Sequence, residues 1–150
     1  MNKSIISLPK EIPIFPLSNF IIFPKTSVPL NIFEPRYINM IDDAMKGNRM
    51  IGMIQPKSFN QKIPDLYKIG CVGKITSFNE TEDGRYLIVL SGISRFKILQ
   101  EINTEKLYRE CKVNFNEFKI NWFLLSYVIC LLGADSHIVA SPLGWPLQRS

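Results

Sequence analysis

The chain has 150 residues, 46% of them hydrophobic and 21% charged, with a net charge of +5 and a pI near 9.2. That suits one packed domain, or one domain plus an appendage, and excludes wholesale disorder. Three well-separated cysteines (Cys71, Cys111, Cys130) and a lone histidine (His137) exclude a disulfide framework, a CxxC knuckle and a histidine-rich metal site. No metal or other cofactor is therefore expected, and a reducing, cytoplasmic compartment fits best.

From the first residue onward, Pro9, Pro13 and Pro16 interrupt any apolar core that a signal peptide would need. Ile12 to Leu17 is predicted to be extended, because proline fixes its own φ and biases the residue before it away from helix. Ile21 to Phe23 and Val28 to Phe33 are predicted as short strands, with Pro24 and Pro29 placing them at a sheet edge or at strand starts.

The clearest helix follows. Pro35 suits its first turn, Glu34 brings negative charge to the positive end of the dipole, and Gly47 stops it. Tyr37, Ile38, Ile41, Ala44 and Met45 make one apolar stripe that must be buried, and the sheet is the expected partner. Met50 to Gln55 has the composition of a buried strand, and Pro56 to Leu66 that of a polar loop.

Gly70 to Phe78 and Arg85 to Leu90 make a hairpin around the Asp83-Gly84 turn signal. Tyr86 to Leu90 is apolar without alternation, so both of its faces are expected to be covered. Gly92 is expected to break that run as a bulge or bend. Phe96 to Leu99 and Tyr108 to Phe118 supply two more strands; in the second, Cys111, Val113 and Phe115 alternate with Lys112, Asn114 and Asn116. About seven short strands with one helix predict a mainly β (α+β) fold, an antiparallel sheet partly closed into a barrel. Residues 1–118 form this β domain; residues 119–150 are expected to be a truncated helical segment and an irregular tail. The apolar run Trp122 to Leu132 would make a helix of roughly 16 Å, too short for a bilayer core of about 30 Å, so no membrane partner is expected.

Catalytic patterns are missing from this sequence. Gly70-Cys71-Val72-Gly73-Lys74 has the wrong spacing for a phosphate-binding loop and lacks the following Ser or Thr. Its glycines are better explained by crowding in a bent strand. The same Gly-x-x-Gly echoes an RNA-binding KH loop, but sits in a strand. There is no Gly-x-Ser-x-Gly elbow. Asp42 and Asp43 point about 100° apart on a helix and suit a solvated face better than a metal site. Glu80, Glu82 and Asp83 suit a solvated turn. Arg95 lies in an apolar stretch, where its charge needs a partner, and Glu34 or another acid is the expected one.

Taken in order, Ile12 to Leu17, Ile22-Phe23-Pro24, Pro29-Leu30, Ile32 to Tyr37, Ile51 to Ile54, Leu66 to Gly70, Asp83-Gly84 and Ser91 to Ile98 resemble the amino-terminal, substrate-binding domain of Lon protease. The resemblance runs from about Ile12 to Phe118. It implies a PUA-like antiparallel pseudo-barrel and a non-catalytic module that recognises unfolded or tagged polypeptides, with a protease or chaperone as a further partner. Glu34, Arg36, Gly70, Gly92 and Arg95 belong to the resembling motifs and are expected to be structural. The family continues into several helices where this sequence, after Leu125, does not.

Phe15, Phe20, Phe23, Phe33 and Tyr37 are the candidate peptide contacts; the competing assignment for each is the core. An alternative is RNA binding. From Lys46 to Lys74 there are six positive residues and one negative, and Lys57, Lys62 and Lys68 are the candidate phosphate contacts. A third reading is a regulatory partner of a larger protease or chaperone. An enzyme comes last, since no convergent catalytic set is present.

Overall fold

A computed structural model describes residues 7–58 and 60–118. The helix and tail expected within 119–150 lie outside the described residues. In chain order the elements are β1 (Glu11–Pro16), β2 (Ser27–Ile32), α1 (Pro35–Lys46), β3 (Met50–Ile54), β4 (Ile69–Glu80), β5 (Tyr86–Ile102) and β6 (Arg109–Asn114), ending in a short 3-10 turn, Asn116–Phe118. The strands form one six-stranded sheet in the order β2-β5-β4-β3-β1-β6. β5 also pairs with β6, which closes β5-β4-β3-β1-β6 into a ring and leaves β2 attached outside. The expected mainly β barrel with one helix is therefore present.

Closure depends on β5 being long. Its first half pairs with β2 (Val28↔Leu90, Ile32↔Tyr86) and its second half with β6 (Ile98↔Val113, Ile102↔Glu110). The sequence suggests two strands broken at Gly92; the chain instead runs through as one strand of 17 residues, so six strands are present where about seven were expected. The bend at Gly92 survives as a bulge: Val72 pairs with Ser94 and Gly73 with Gly92, leaving Ile93 as the extra residue. Two more register shifts, at Thr76 and at Leu99, add the curvature that a small barrel requires. All pairings are antiparallel except β1 with β3, which are parallel because the chain crosses back through β2 and α1 between them.

The core has two parts. Ile12, Ile14, Met50, Val72, Phe96, Cys111 and Val113 come from all five ring strands and fill the barrel. On the other face, Tyr37, Met40, Ile41 and Ala44 of α1 pack with Phe15, Ile51, Met53, Cys71 and Leu90. β3 is thus covered on both faces, which explains why every residue from Met50 to Ile54 is buried. The predicted stripe is present with Met40 added; Ile38 and Met45 sit at its half-buried margin. Tyr86 to Leu90 departs from expectation: Ile88 and Leu90 are buried, but Leu87 is 42% exposed, so only one face is covered.

Two hydrogen bonds tie the helix down. The Tyr86 hydroxyl donates to Asp42 Oδ1 (2.9 Å) and the Tyr108 hydroxyl to Asp43 Oδ2 (2.7 Å). The adjacent aspartates are therefore acceptors for hydroxyls from two different parts of the barrel, not merely a solvated face. Their angular separation on the helix is what allows each to reach its own tyrosine. Gly47 ends the helix as expected, but with φ −109°; the left-handed residue of that connection is Arg49 (φ 61°). At the β4–β5 turn, Gly84 has φ 77°, the conformation the Asp-Gly signal calls for.

Candidate functional site: an apolar groove beside the barrel

Ile21 to Phe23 does not form a strand. Thr26 captures the Phe23 backbone: its hydroxyl donates to the Phe23 carbonyl (2.7 Å), and the Phe23 N–H donates to the hydroxyl oxygen (3.2 Å). This local turn competes with strand pairing. The loop is then fastened to the β5 bulge, with Lys25 N–H donating to Gly92 O (2.9 Å) and Gly92 N–H to Thr26 O (2.8 Å). Ile22 points inward and is buried, while Phe20, Ile21 and Phe23 are left on the surface.

The facing wall is the neck of the 55–68 loop. Pro56 and Leu66 form an isolated bridge, Tyr67 N–H donates to Gln55 O (3.1 Å) and Lys57 N–H to Asp65 O (2.7 Å). Ile98 N–H donates to Lys68 O (2.7 Å), anchoring the neck to β5. Tyr67 and Ile69 follow, both about half exposed. Between the walls lies a groove of about 460 Å³ whose lining includes Met53, Ile54, Gly70 and Cys71, with Lys57, Lys68 and Arg95 among the same lining residues. Its walls are held by backbone hydrogen bonds, and its apolar character matches that of ligand-binding clefts generally.

A second, larger cleft of about 650 Å³ is lined by Phe15, Phe33, Tyr37, Ile63, Leu107 and Arg109, among others. It is more polar, and its charges are largely internal pairs. Arg36 meets Glu34 (2.7 Å), and Arg109 grips Glu101 with two nitrogens (2.7 and 2.6 Å) while a third bonds Pro64 O (2.7 Å). These bonds to Arg109 hold the Glu101 carboxyl below its usual range.

The five candidate aromatics thus divide. Phe20 and Phe23 (58% exposed) border the apolar groove. Phe33 (66% exposed) borders the larger cleft. Phe15 and Tyr37 border that cleft too but are core residues, packed edge to face with centroids 4.5 Å apart. Tyr67 and Ile69 lie outside that set, although they flank Lys68 as large apolar residues next to a polar loop, which is a legible surface signal.

The expected pairing of Glu34 with Arg95 does not occur. Glu34 is satisfied two residues away by Arg36, whose guanidinium also lies 4.6 Å over the Tyr37 ring. Arg95 is exposed, so solvent meets its charge, and it stacks on Phe118 at 4.9 Å. Gly70 and Gly92 act by close approach. A Cβ on Gly70 would stand 2.6 Å from Phe96 Cζ, and one on Gly92 would lie 2.9 Å from the Phe23 carbonyl carbon.

Among the described residues no group of His, Cys, Asp and Glu is arranged to hold a metal. Burial pushes the Cys71 and Cys111 thiols up to about 11, which keeps them protonated and unreactive at neutral pH. No described helix is long and apolar enough to cross a membrane. The Lys57, Lys62 and Lys68 set also divides, with Lys57 and Lys68 at the groove and Lys62 at the larger cleft.

Comparison with known proteins accords with this architecture. Residues 11–123 match the model of the ATP-dependent protease La (LON) substrate-binding domain. A Lon protease of Desulfosudis oleivorans is 36% identical over 102 residues, covering 65% of this chain and 12% of that protein. A Lon protease of Dictyoglomus thermophilum is 30% identical over 115 residues, covering 75% of this chain and 14% of that protein. The chain therefore spans only a small fraction of the length of these relatives. Among solved structures, the Lon N-terminal domain protein from Xanthomonas campestris superposes with a TM-score of 0.58 at 22% identity, covering 70% of this chain and 59% of that one. The N-terminal domain of a Mycobacterium avium complex Lon protease gives 0.53 at 18% identity, covering 71% and 54%. A six-stranded sheet with five of its strands closed into a ring, one helix, and a family match over most of the chain make this chain a member of the LON substrate-binding domain family.

Proposed function

We propose that the chain binds unfolded or tagged polypeptides in the groove between Phe20–Phe23 and Tyr67–Ile69, and that it performs no covalent chemistry of its own. The observation that carries this reading is the concentration of large exposed apolar side chains around one preformed groove: Phe20, Ile21, Phe23, Tyr67 and Ile69. Exposed apolar surface of this kind favours association, and its usual use is recognition. Docking of side chains into the groove fits better than strand addition. β2, the strand outside the ring, carries Pro29, which removes an N–H from the edge an incoming strand would need.

Residues 1–118 are the binding unit in this reading, and a protease or chaperone that receives the bound chain is the natural further partner. The free thiols of Cys71 and Cys111 favour a reducing, cytoplasmic setting. The RNA reading is weakened by the division of its lysines between two cavities. The test is a titration of the full chain with a fluorescent unfolded polypeptide and with a structured RNA. Saturable polypeptide binding that weakens at least about fivefold in Phe23→Ala and Tyr67→Ala is expected, the size of losing one buried aromatic contact. Binding of RNA alone, or polypeptide binding indifferent to both substitutions, refutes the proposal.

A further inference from the structure

The groove has a charge property that the apolar reading leaves unused. Lys57, Lys68 and Arg95 line it, and no carboxylate does. All three side chains are exposed. Among the described residues the ion pairs use other cations, namely Arg36, Lys46, Arg85, Lys97, Lys106 and Arg109. The larger cleft is the contrast, because its Glu34 and Glu101 neutralise Arg36 and Arg109 within the protein.

We infer that the groove selects an apolar segment flanked by carboxylates: an acidic polypeptide stretch with an aromatic or aliphatic anchor. The inference rests on the polypeptide-binding reading above and specifies its substrate class. The backbone bearing two of the cations is fixed in advance. Lys57 is held through its N–H to Asp65 O, and Lys68 through its carbonyl to Ile98 N–H, so both charges sit at the neck of the loop and not at its tip. Arg95 is held by its stacking on Phe118. Positive charge beside an apolar, low-dielectric surface attracts a carboxylate more strongly than the same charge in open water, and it repels a lysine-rich segment by the same amount. The anchor supplies affinity and the flanking charge supplies discrimination.

The test uses the full chain and three labelled peptides sharing one apolar anchor, flanked by Asp and Glu, by Ser and Gly, or by Lys. At about 50 mM salt the acidic peptide is expected to bind about tenfold more tightly than the lysine-flanked one, and the gap should close at about 0.5 M, where screening shortens the Debye length to a few ångströms. Both lysines are exposed, so a K57E/K68E variant should keep its circular dichroism spectrum while reversing the order of the peptides. Equal affinity for the three peptides overturns the inference and leaves the groove reading intact. Equal binding of an acidic peptide or an RNA that lacks the anchor also overturns it, because charge alone would then suffice. If none of the anchored peptides binds, the polypeptide-binding reading itself fails and this inference with it.

Discussion

Gly92→Ala is the most informative single substitution in this molecule. The new Cβ would lie 2.9 Å from the Phe23 carbonyl carbon and still closer to its oxygen, and 3.3 Å from Ile22 Cγ1. The first two are backbone atoms, so no rotamer change relieves them. The Phe23 carbonyl already accepts from the Thr26 hydroxyl and from Thr26 N–H, so it cannot simply rotate away. The loop must lift, which strains the two backbone hydrogen bonds between Gly92 and residues 25 and 26. Each contributes about 1 kcal/mol net, and partial exposure of Ile22 adds about 1 kcal/mol. A loss of about 3 kcal/mol is expected, which a urea titration would show as a midpoint lowered by about 1–2 M with little change in slope. Because the lifted loop carries Phe20 and Phe23, polypeptide affinity should fall as well. Gly84→Ala is the control: it has φ 77° and nothing within 4 Å of its added Cβ, so it should cost only about 1 kcal/mol of backbone strain. If Gly92→Ala is the milder of the two, the close-approach argument is wrong.

Burial, then the hydrogen bond to Asp43, pushes the Tyr108 hydroxyl up to about 12. An unfolded tyrosine titrates near 10, so the fold favours the protonated form; this stabilisation is complete below about pH 10 and is lost as pH rises toward 12. Tyr108→Phe should flatten stability against pH in that window and cost about 1 kcal/mol at neutral pH, since Asp43 is half exposed; an unchanged slope in alkaline denaturation would count against it. Arg109→Met removes the two hydrogen bonds to Glu101 and the tie to Pro64 O, and should speed proteolytic cleavage within residues 57–65 while lowering stability by about 1–2 kcal/mol; cleavage at the wild-type rate would show that the tie does not restrain the loop. At the hairpin tip, the side-chain hydrogen bond from Arg85, then that from Thr81, holds the Asp83 carboxyl down at about 2. That depressed value favours the fold above the ordinary carboxylate range, and the contribution disappears as pH falls through about 2. An NMR titration of Arg85→Ala should return the midpoint toward about 4, and a midpoint that stays low would place the cause elsewhere.

What could be read from the sequence was whatever local periodicity or a single residue's stereochemistry decides. The α1 stripe, the Asp83-Gly84 turn and the Cys111–Val113–Phe115 alternation are of this kind, because each depends on neighbours within a few positions. The misread features depend on distant partners. Tyr86 to Leu90 reads as buried on both faces because apolar residues fill it, yet β2 and β4 lie beside it within the sheet and Leu87 stays 42% exposed. Asp42 and Asp43 looked solvated because their tyrosine donors lie 44 and 65 residues away. The five aromatics looked like one set, whereas alternation along β1 turns Phe15 toward α1 and the Thr26 turn sends Phe20 and Phe23 to a different cavity.

The stretch Gly92-Ile93-Ser94-Arg95-Phe96 shows how these levels meet. The sequence marks it only as a glycine break followed by an arginine in apolar surroundings. In the fold, Gly92 makes room for the Phe23 loop, Ile93 is the bulged residue that bends β5, Arg95 emerges beside the groove, and Phe96 fills the barrel interior against Gly70. The bulge links these roles. An extra residue is absorbed without moving the pairs on either side of it, so the pairing with β4 decides which of Arg95 and Phe96 faces the core. Deleting Ile93 should therefore leave the two faces as they are, because Ser94 opposite Val72 and Gly92 opposite Gly73 become consecutive pairs of a regular ladder, with Phe96 still against Gly70 and Arg95 still opposite Cys71. What the deletion removes is the bend and the packing of a half-buried isoleucine, a cost of about 1–2 kcal/mol. A deletion variant in which Phe96 becomes exposed to solvent would show that the ladder beyond the bulge shifts its register and that Ile93 is not simply the extra residue of the bulge.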